Sequence, residues 1–477
     1  MMDLERLVAA LGAVEVVGRA PVEVRDLTYD ARAVTPGALF FCVPGARADG
    51  HDFAAEAVER GAVALVVERP LEIAVLQVVV RDARASMAVA ADEFFGRPTE
   101  ELTVAGVTGT SGKTTTAFLL YAILAAAGRR PGLLGTVEAR VGGERRGVLH
   151  TTPEAIDLQR TFREMVDAGD RSCAMEASSH ASQLHRLDRV RFAVLVFTNL
   201  SQDHLDFHGD MESYFEAKRR LFLAGRPPAA INLGDEYGRR LAAELPEALT
   251  FGFDPGASIG PAALEGVELK LRGRFNVENA LGALAAARLL GIDEAAIVRG
   301  LESVRGVPGR FESVEEGQPF TVIVDYAHKP DALENVLRTA RELTRGRVIC
   351  VVGAGGDRDR GKRPLMGRLA SELADVAIVT SDNPRSDSMP RLIESSSMPS
   401  SRAATSAPNA FSTLNRPRSF RSTPSNLSAS SMLNVTASGS SAASRRPYSS
   451  PTLTTARGRG SVTNSRRFAW KYDSMSP

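Results

Sequence analysis

The chain has 477 residues, 44% of them apolar, and a formal net charge of +1, proportions ordinary for a soluble globular protein of about three domains. Its longest apolar stretches, such as 117–127, are too short to span a bilayer, and the charged start Met1–Arg6 carries no secretory pattern. Cys42, Cys173 and Cys350 lie far apart in apolar surroundings and read as small buried hydrophobes in a reducing compartment, not as a disulfide or metal set. A cytoplasmic, monomeric enzyme with small-molecule partners, no nucleic acid and no membrane span is the expectation.

The near-zero charge is a cancellation. Residues 1–387 are net acidic by about nine charges and residues 388–477 net basic by about ten, with Glu394 and Asp473 the acids of the latter.

In chain order, residues 1–100 mix short predicted strands (61–67 and 75–80) with an amphipathic helix, Ala83 to Phe95, and close on a linker at Gly96-Arg97-Pro98. An apolar run, 102–107, then leads into Gly106-Val-Thr-Gly-Thr-Ser-Gly-Lys-Thr-Thr-Thr116, and a helix is predicted from Thr114 to Ala127, stopped by Gly128. Strand, glycine-rich loop and helix together point backbone N–H groups and a helix N-terminus at an anion. Lys113 adds a mobile positive charge for the β- and γ-phosphates, and the Thr114 hydroxyl can ligate Mg²⁺. Gly109, Thr110, Ser111, Gly112, Lys113, Thr114 and Thr115 are therefore the candidate ATP-binding residues. The strict Walker spacing is missed by one residue, because Val107 stands where the first Gly belongs and Gly106 precedes it.

Strand and helix signals alternate up to about residue 305. The continuous apolar run 192–197 is expected of a strand buried on both faces, 229–233 looks similar, and 276–290 is an alanine-rich helix ending at Gly291. This alternation argues for a mostly parallel sheet covered by helices. Glu176, just after an apolar turn, and His204, directly after the 192–197 strand, sit where α/β sheets bind ligands, and can hold Mg²⁺ beside the phosphates. Lys218 lies in a predicted helix, Tyr214 to Phe222, and by spacing reads as an ordinary charged surface lysine.

A third unit starts near Gly306, with strands at 321–325, 347–352 and 376–380 and helices between them, half of a doubly wound domain. Arg310 follows the turn Val307-Pro-Gly309, and Asp325-Tyr-Ala-His328 ends a strand before a helix begun by Lys329-Pro330. Gly353–Arg363 is a second glycine-rich loop. Arg358 within it and Arg385 in Asp382-Asn-Pro-Arg385 both fall at strand ends and can converge on one carboxylate. A charge-assisted pair of that kind contributes about 1.5–3 kcal/mol. Beyond about Ser386 the buried-strand runs and helix periodicity stop, roughly a quarter of the residues are Ser, and the segment reads as disordered. The abruptness of the change points to a slipped reading frame near residue 387, with a native flexible tail as the alternative.

Taken in order, these stretches resemble the Mur ligase family over about residues 20–387. Gly-x-Thr-Gly-Thr-x-Gly-Lys-Thr-Thr is that family's form of the phosphate loop, which accounts for the missed spacing, and most relatives carry Asn where this chain has Ser111. The fold implied is α/β in three parts: a UDP-sugar-binding domain (1–100), a central P-loop parallel-sheet domain that binds ATP (101–305), and an incomplete doubly wound C-terminal domain for the incoming amino acid (306–387). The unmatched tail is 388–477. The activity implied is ligation of meso-diaminopimelate to UDP-N-acetylmuramoyl-L-alanyl-D-glutamate, dependent on ATP and Mg²⁺ and passing through an acyl phosphate.

The resemblance also supplies roles. Lys218 matches a lysine that is carbamylated in the family and then helps hold Mg²⁺, so the implied metal set is Thr114, Glu176, His204 and Lys218. Thr151, Thr152, Ser178 and Arg186 match positions binding the UDP-sugar peptide. Tyr29, and Ala46, Arg47 and Ala48, fall in segments resembling the uridine-binding ones, with Ala31 where a Ser often stands. Asn276, Asn279, Arg310 and Asp325 resemble nucleotide-side residues, and Lys113, Lys218, Asp325 and His328 make up the implied catalytic set. Arg358, Asp382, Asn383, Pro384 and Arg385 match the amino-acid site, where Arg385 suits the extra carboxylate of diaminopimelate. A family segment Gly-Lys-Gly-His-Glu, which grips the far end of that amino acid, does not occur in the chain. Two alternatives stay open: a folate-polyglutamate-type ligase, and a nucleotide-binding protein whose unfinished third domain impairs catalysis. A disordered tail is cleaved first, so limited proteolysis should remove residues beyond about 390 ahead of all others; a protected tail would contradict the reading.

Overall fold

The structure is a computed structural model that describes residues 2–18, 22–45, 48–355, 361–382 and 434–438. The chain divides into two compact units between Arg310 and Phe311. The first contains a two-stranded, a five-stranded and an eight-stranded sheet, and the second a five-stranded one.

The chain opens with β1 (Met2–Asp3), β2 (Glu15–Val17), β3 (Glu23–Val24), β4 (Asp26–Thr28), β5 (Ala38–Phe41), β6 (Ala62–Val67) and β7 (Leu76–Val79). β1 pairs with β3, and the others form a sheet in the order β2-β7-β6-β5-β4, parallel from β7 to β4. All four residues of β5 are buried and β6 is nearly so, the continuous apolar pattern of strands covered on both faces. Helices Leu4–Leu11 and Ala83–Phe94 cover one face, and Ala155 and Ile156 of the next region join that same core.

The second sheet comprises β8 (Thr103–Thr108), β9 (Pro131–Leu134), β10 (Ala139–Val141), β11 (Glu144–Arg146), β12 (Ser172–Glu176), β13 (Phe192–Phe197), β14 (Ala229–Asn232) and β15 (Leu249–Phe251). Its order is β11-β10-β9-β12-β8-β13-β14-β15. β9, β12, β8, β13, β14 and β15 run parallel, while β10 and β11 form an antiparallel hairpin on one edge that the sequence pattern did not announce. β8 lies between β12 and β13, with Glu176 opposite Val107 and Phe197 opposite Thr108. This register brings three carboxyl-terminal strand ends to one edge.

Helices Lys113–Ala126, Arg274–Leu289 and Glu294–Ser303 pack on one face of this sheet, and Ala155–Asp167, Met211–Leu223 and Glu236–Glu244 on the other. Lys113–Ala126 is buried on nearly all sides, which its run of apolar and small residues permits. Each of its large side chains, such as Leu119, Leu120 and Ile123, contributes about 1.5–3 kcal/mol by burial.

The second unit holds β16 (Glu312–Val314), β17 (Phe320–Val324), β18 (Arg347–Gly355), β19 (Val376–Asp382) and β20 (Asn434–Ser438), with helices Pro330–Leu343 and Lys362–Leu373. Sheet order is β16-β17-β20-β18-β19. β18 and β19 are parallel, and β20 runs antiparallel between β17 and β18. A strand beyond residue 386 was not expected from the sequence, and β20 corrects that reading. Two facing strand edges carry rows of N–H and C=O groups, and a five-residue segment between them satisfies both rows.

All three cysteines are buried thiols, and burial pushes Cys42 and Cys350 up to about 12. Among the described residues no helix is long and apolar enough to cross a membrane. Gly300 marks a close contact between two helices: a Cβ there would lie 2.4 Å from the Ile123 Cα. Gly300→Ala should therefore lower stability by about 1–3 kcal/mol, read as a drop in the urea midpoint at unchanged m-value.

Candidate active site

β8 ends at Thr108 and the helix begins at Lys113, leaving Gly109–Gly112 as the phosphate loop. Both glycines sit at positive φ, +142° and +88°. A Cβ on Gly109 would lie 1.9 Å from Thr198 Oγ1, and one on Gly112 2.3 Å from Asn279 Oδ1. The backbone comes that close because the end of β13 clamps it. Thr198 Oγ1 donates to the Ser111 carbonyl at 2.6 Å, Asn199 Nδ2 donates to the same oxygen at 3.1 Å, and Asn199 Oδ1 accepts the Ser111 N–H at 2.9 Å. Lys113 Nζ donates to the carbonyls of Gly109 and Thr110, at 2.9 and 3.0 Å. Thr114 Oγ1 accepts from Arg310 Nη2 at 3.1 Å, so Arg310 lies at this edge. Asn276 and Asn279 are buried and bonded to each other at 3.1 Å, and Asn279 also receives the Thr116 hydroxyl at 3.4 Å. Thr115 is buried in the first turn of the helix.

Glu176 closes β12, within the sheet itself; the turn expected before it is a strand. Its carboxylate is 1% exposed, accepting the Thr136 N–H at 2.7 Å and the Thr136 hydroxyl at 3.1 Å. Gly135 makes the room, since a Cβ there would sit 2.6 Å from Glu176 Oε1. The residues expected on the substrate side gather on the same network. Thr151 Oγ1 is 3.0 Å from Thr136 Oγ1, Thr152 Oγ1 donates to the Glu176 carbonyl at 2.8 Å, and the Ser178 N–H donates to Thr152 Oγ1 at 3.2 Å. Arg186 donates to the Thr152 carbonyl at 3.0 Å and to Glu154 at 2.7 Å, and Glu154 also pairs with Arg84 at 3.2 Å. Tyr29 donates to Asp157 at 2.7 Å; burial, first, and then the carboxylate beside it push its phenol well above the usual range.

Lys218 is not on the surface. It is 1% exposed, with Nζ donating to the Gly109 carbonyl at 3.0 Å and lying 4.6 Å from the Tyr214 ring centroid. The surface-lysine reading from spacing failed because the helix Met211–Leu223, capped by Asp210, turns that face onto the phosphate loop. His204 adopts left-handed backbone, φ +53°, and its Nε2 is 2.9 Å from Asp203. A non-glycine residue held there is strained, a cost that surrounding structure must offset. His180 and His208 lie beside it, with ring centroids 4.6 Å (His180–His204) and 5.5 Å (His180–His208) apart, and burial, more than neighbouring charge, lowers both to about 4.

Among the described residues no three His, Cys, Asp or Glu side chains converge as a metal cage. Glu176 and Thr114 offer a carboxylate and a hydroxyl, oxygen donors of the kind Mg²⁺ takes while it keeps several waters and draws its remaining ligands from substrate phosphates; the His204 imidazole is a softer nitrogen donor. In the second unit, Asp325 is buried and accepts the N–H groups of Phe311 and Ala327, both at 2.7 Å, while His328 Nδ1 lies 3.0 Å from the Tyr326 carbonyl. Ala48 accepts the Gly45 N–H at 2.9 Å. Ala46, Arg47, Arg358, Asn383, Pro384 and Arg385 lie outside the described residues, and of Asp382 only the backbone, closing β19, is described. Thr136, Glu154, Thr198, Asn199 and Tyr214 belong to the site and were missed. For Asn199 and Thr136 the signal was available, since each follows a strand at the carboxyl edge. Gly112→Ala combines a left-handed backbone with a clash on Asn279. It should weaken ADP binding at least about tenfold by calorimetry while costing about 1–3 kcal/mol of stability.

Comparison with known proteins agrees with this geometry. Residues 23–95 match the Mur ligase family catalytic domain, 107–287 the Mur ligase middle domain, and 309–416 the Mur ligase glutamate ligase domain. The last match runs past residue 387, where the resemblance read from sequence stopped. The chain is 47% identical over 392 residues to the UDP-N-acetylmuramoyl-L-alanyl-D-glutamate--2,6-diaminopimelate ligase of Solibacter usitatus, covering 77% of this chain and 79% of that protein. It is 46% identical over 414 residues to the ligase of the same name from Geobacter metallireducens, covering 81% of each. A solved structure of a UDP-N-acetylmuramoyl-L-alanyl-D-glutamate--2,6-diaminopimelate ligase superposes with a TM-score of 0.62 at 30% identity, over 83% of this chain and 85% of that one. With a clamped phosphate loop, matches in three successive regions and relatives covered over most of their length, the chain belongs to the Mur ligase family.

Proposed function

We propose that the chain is an ATP-dependent ligase that adds meso-diaminopimelate to the D-glutamate of UDP-N-acetylmuramoyl-L-alanyl-D-glutamate, a cytoplasmic step of peptidoglycan biosynthesis. The observation that carries this reading is the meeting, at one sheet edge, of the phosphate loop, the Glu176–Thr136–Thr152 network and buried Lys218. Its support from similarity is the name shared by relatives at 46–47% identity.

The γ-carboxylate oxygen of the D-glutamate attacks the γ-phosphorus of ATP, and ADP leaves, giving an acyl phosphate. The amine of diaminopimelate then attacks the activated carbonyl, loses a proton, and inorganic phosphate departs. Catalysis of the first step is positioning plus charge stabilisation. Lys113 and the loop N–H groups cradle the triphosphate, and Arg310, already on Thr114, lies at the same edge. Thr114, Glu176 and His204, with a carbamate on Lys218, would hold Mg²⁺, which would supply further positive charge to offset that of the phosphates. A carbamate keeps one N–H on Nζ, so the Lys218 contact with the Gly109 carbonyl is compatible with it. Thr151, Thr152, Ser178 and Arg186 hold the peptide end of the acceptor, and Tyr29 with Ala46, Arg47 and Ala48 serves its uridine end. Asp325, His328, Arg358 and Asp382–Arg385 serve the nucleotide and the incoming amino acid.

The test is ADP release from ATP with the UDP-linked dipeptide as acceptor. Release should require meso-diaminopimelate, with lysine or glutamate supporting at most about a tenth of the rate. Glutamate-dependent release with a folate acceptor would replace this reading by the folate-type one. Nucleotide binding without amine-dependent release would mean that the chain binds ATP but does not ligate.

A further inference from the structure

Lys113 is bonded to two carbonyls of its own loop, Gly109 and Thr110. A bound triphosphate draws that ammonium toward its β- and γ-phosphates, so the loop needs other supports that stay in place when a nucleotide arrives. Two come from the helix Met211–Leu223. Lys218 Nζ donates to the Gly109 carbonyl at 3.0 Å, and one helical turn earlier the Tyr214 hydroxyl lies 3.2 Å from Thr110 Oγ1. Both side chains are 1% exposed, so water does not compete for these contacts. Thr110 Oγ1 in turn accepts the Ser201 N–H at 3.0 Å and lies 3.2 Å from the Ser201 carbonyl, while the Thr110 N–H donates to the Asn199 carbonyl at 2.8 Å. The Tyr214 hydroxyl therefore closes a ring of contacts joining the helix, the end of β13 and the loop.

We infer that Tyr214 is a positioning residue for nucleotide binding: its hydroxyl fixes Thr110, and its ring, beneath Lys218, holds that side chain against the Gly109 carbonyl. The inference rests on the loop being the nucleotide site. The Tyr214 ring also lies 4.9 Å from the His208 ring and 6.1 Å from the His204 ring, between centroids, contacts that a phenylalanine at this position keeps.

Tyr214→Phe keeps the ring and removes the hydroxyl. It should weaken ADP binding by about three- to tenfold, the effect of losing one buried hydrogen bond, and raise KM for ATP by the same factor. KM for the UDP-linked dipeptide should stay unchanged, and the thermal midpoint should fall by no more than about two to four degrees, the effect of one buried hydrogen bond. Thr110→Val breaks the same bond from the loop side, and the double variant should bind ADP no more weakly than Thr110→Val alone. An ADP affinity within a factor of two of wild type in Tyr214→Phe, or additive losses in the double variant, would overturn the inference and leave the nucleotide site standing. Wild-type protein that binds no ADP would remove both.

Discussion

A phosphate loop must keep some of its N–H groups for the anion, and a backbone with unspent donors cannot hold itself in place by ordinary secondary structure. The stretch from Gly109 to Gly112 is accordingly fixed from outside, through its carbonyls and through the N–H groups of Thr110 and Ser111, both accepted by Asn199. Thr198 and Asn199 take Ser111, Lys113 and Lys218 take Gly109, and Tyr214 holds the Thr110 side chain. The glycines follow from the same demand, since any side chain at Gly109 or Gly112 would occupy the space of the groups that clamp them. Strand order does the rest. With β8 between β12 and β13, the clamp from β13 and the carboxylate from β12 reach the loop without any long excursion of the chain.

The peptide-side residues form a second rigid layer built on Glu176. Its two oxygens are both engaged by Thr136, its carbonyl by Thr152, and the hydroxyls of Thr136 and Thr151 are linked in turn. A buried carboxylate is costly unless hydrogen-bonded, and here each bond that lowers this cost also fixes a residue on the acceptor side. Positional precision is thus a by-product of satisfying one charge.

Local pattern made the parallel core, the loop and its helix legible, because continuous apolar runs and a glycine-rich turn are short-range signals. Residues whose meaning depends on what packs against them were not. Lys218 looks like any lysine on a helix until the fold turns it inward, and only likeness to a family singled it out in advance. Tyr214 carried no signal beyond an amphipathic period. The hairpin β10–β11 hid in charged residues, Glu144 to Arg146, all exposed. β20 eluded reading because its pairing is made to strands about eighty residues and more upstream, beyond the reach of any sequence window.

The helix Ala155–Asp167 belongs by sequence to the central region, yet it is fastened along its length to the amino-terminal sheet. Glu154 at its start meets Arg84, Asp157 meets Tyr29, Arg160 meets Asp26 and the Leu27 carbonyl, and Arg163 meets the carbonyls of Phe95 and Gly96. These contacts tie the helix to residues at or before Gly96–Pro98, across a point where the chain would otherwise be cut. A chimera that takes the first hundred residues from a relative, spliced there, puts every one of these contacts across the seam. One that exchanges the sheet and this helix as a block keeps them, so the part of this chain that can be swapped intact is larger than the amino-terminal sheet.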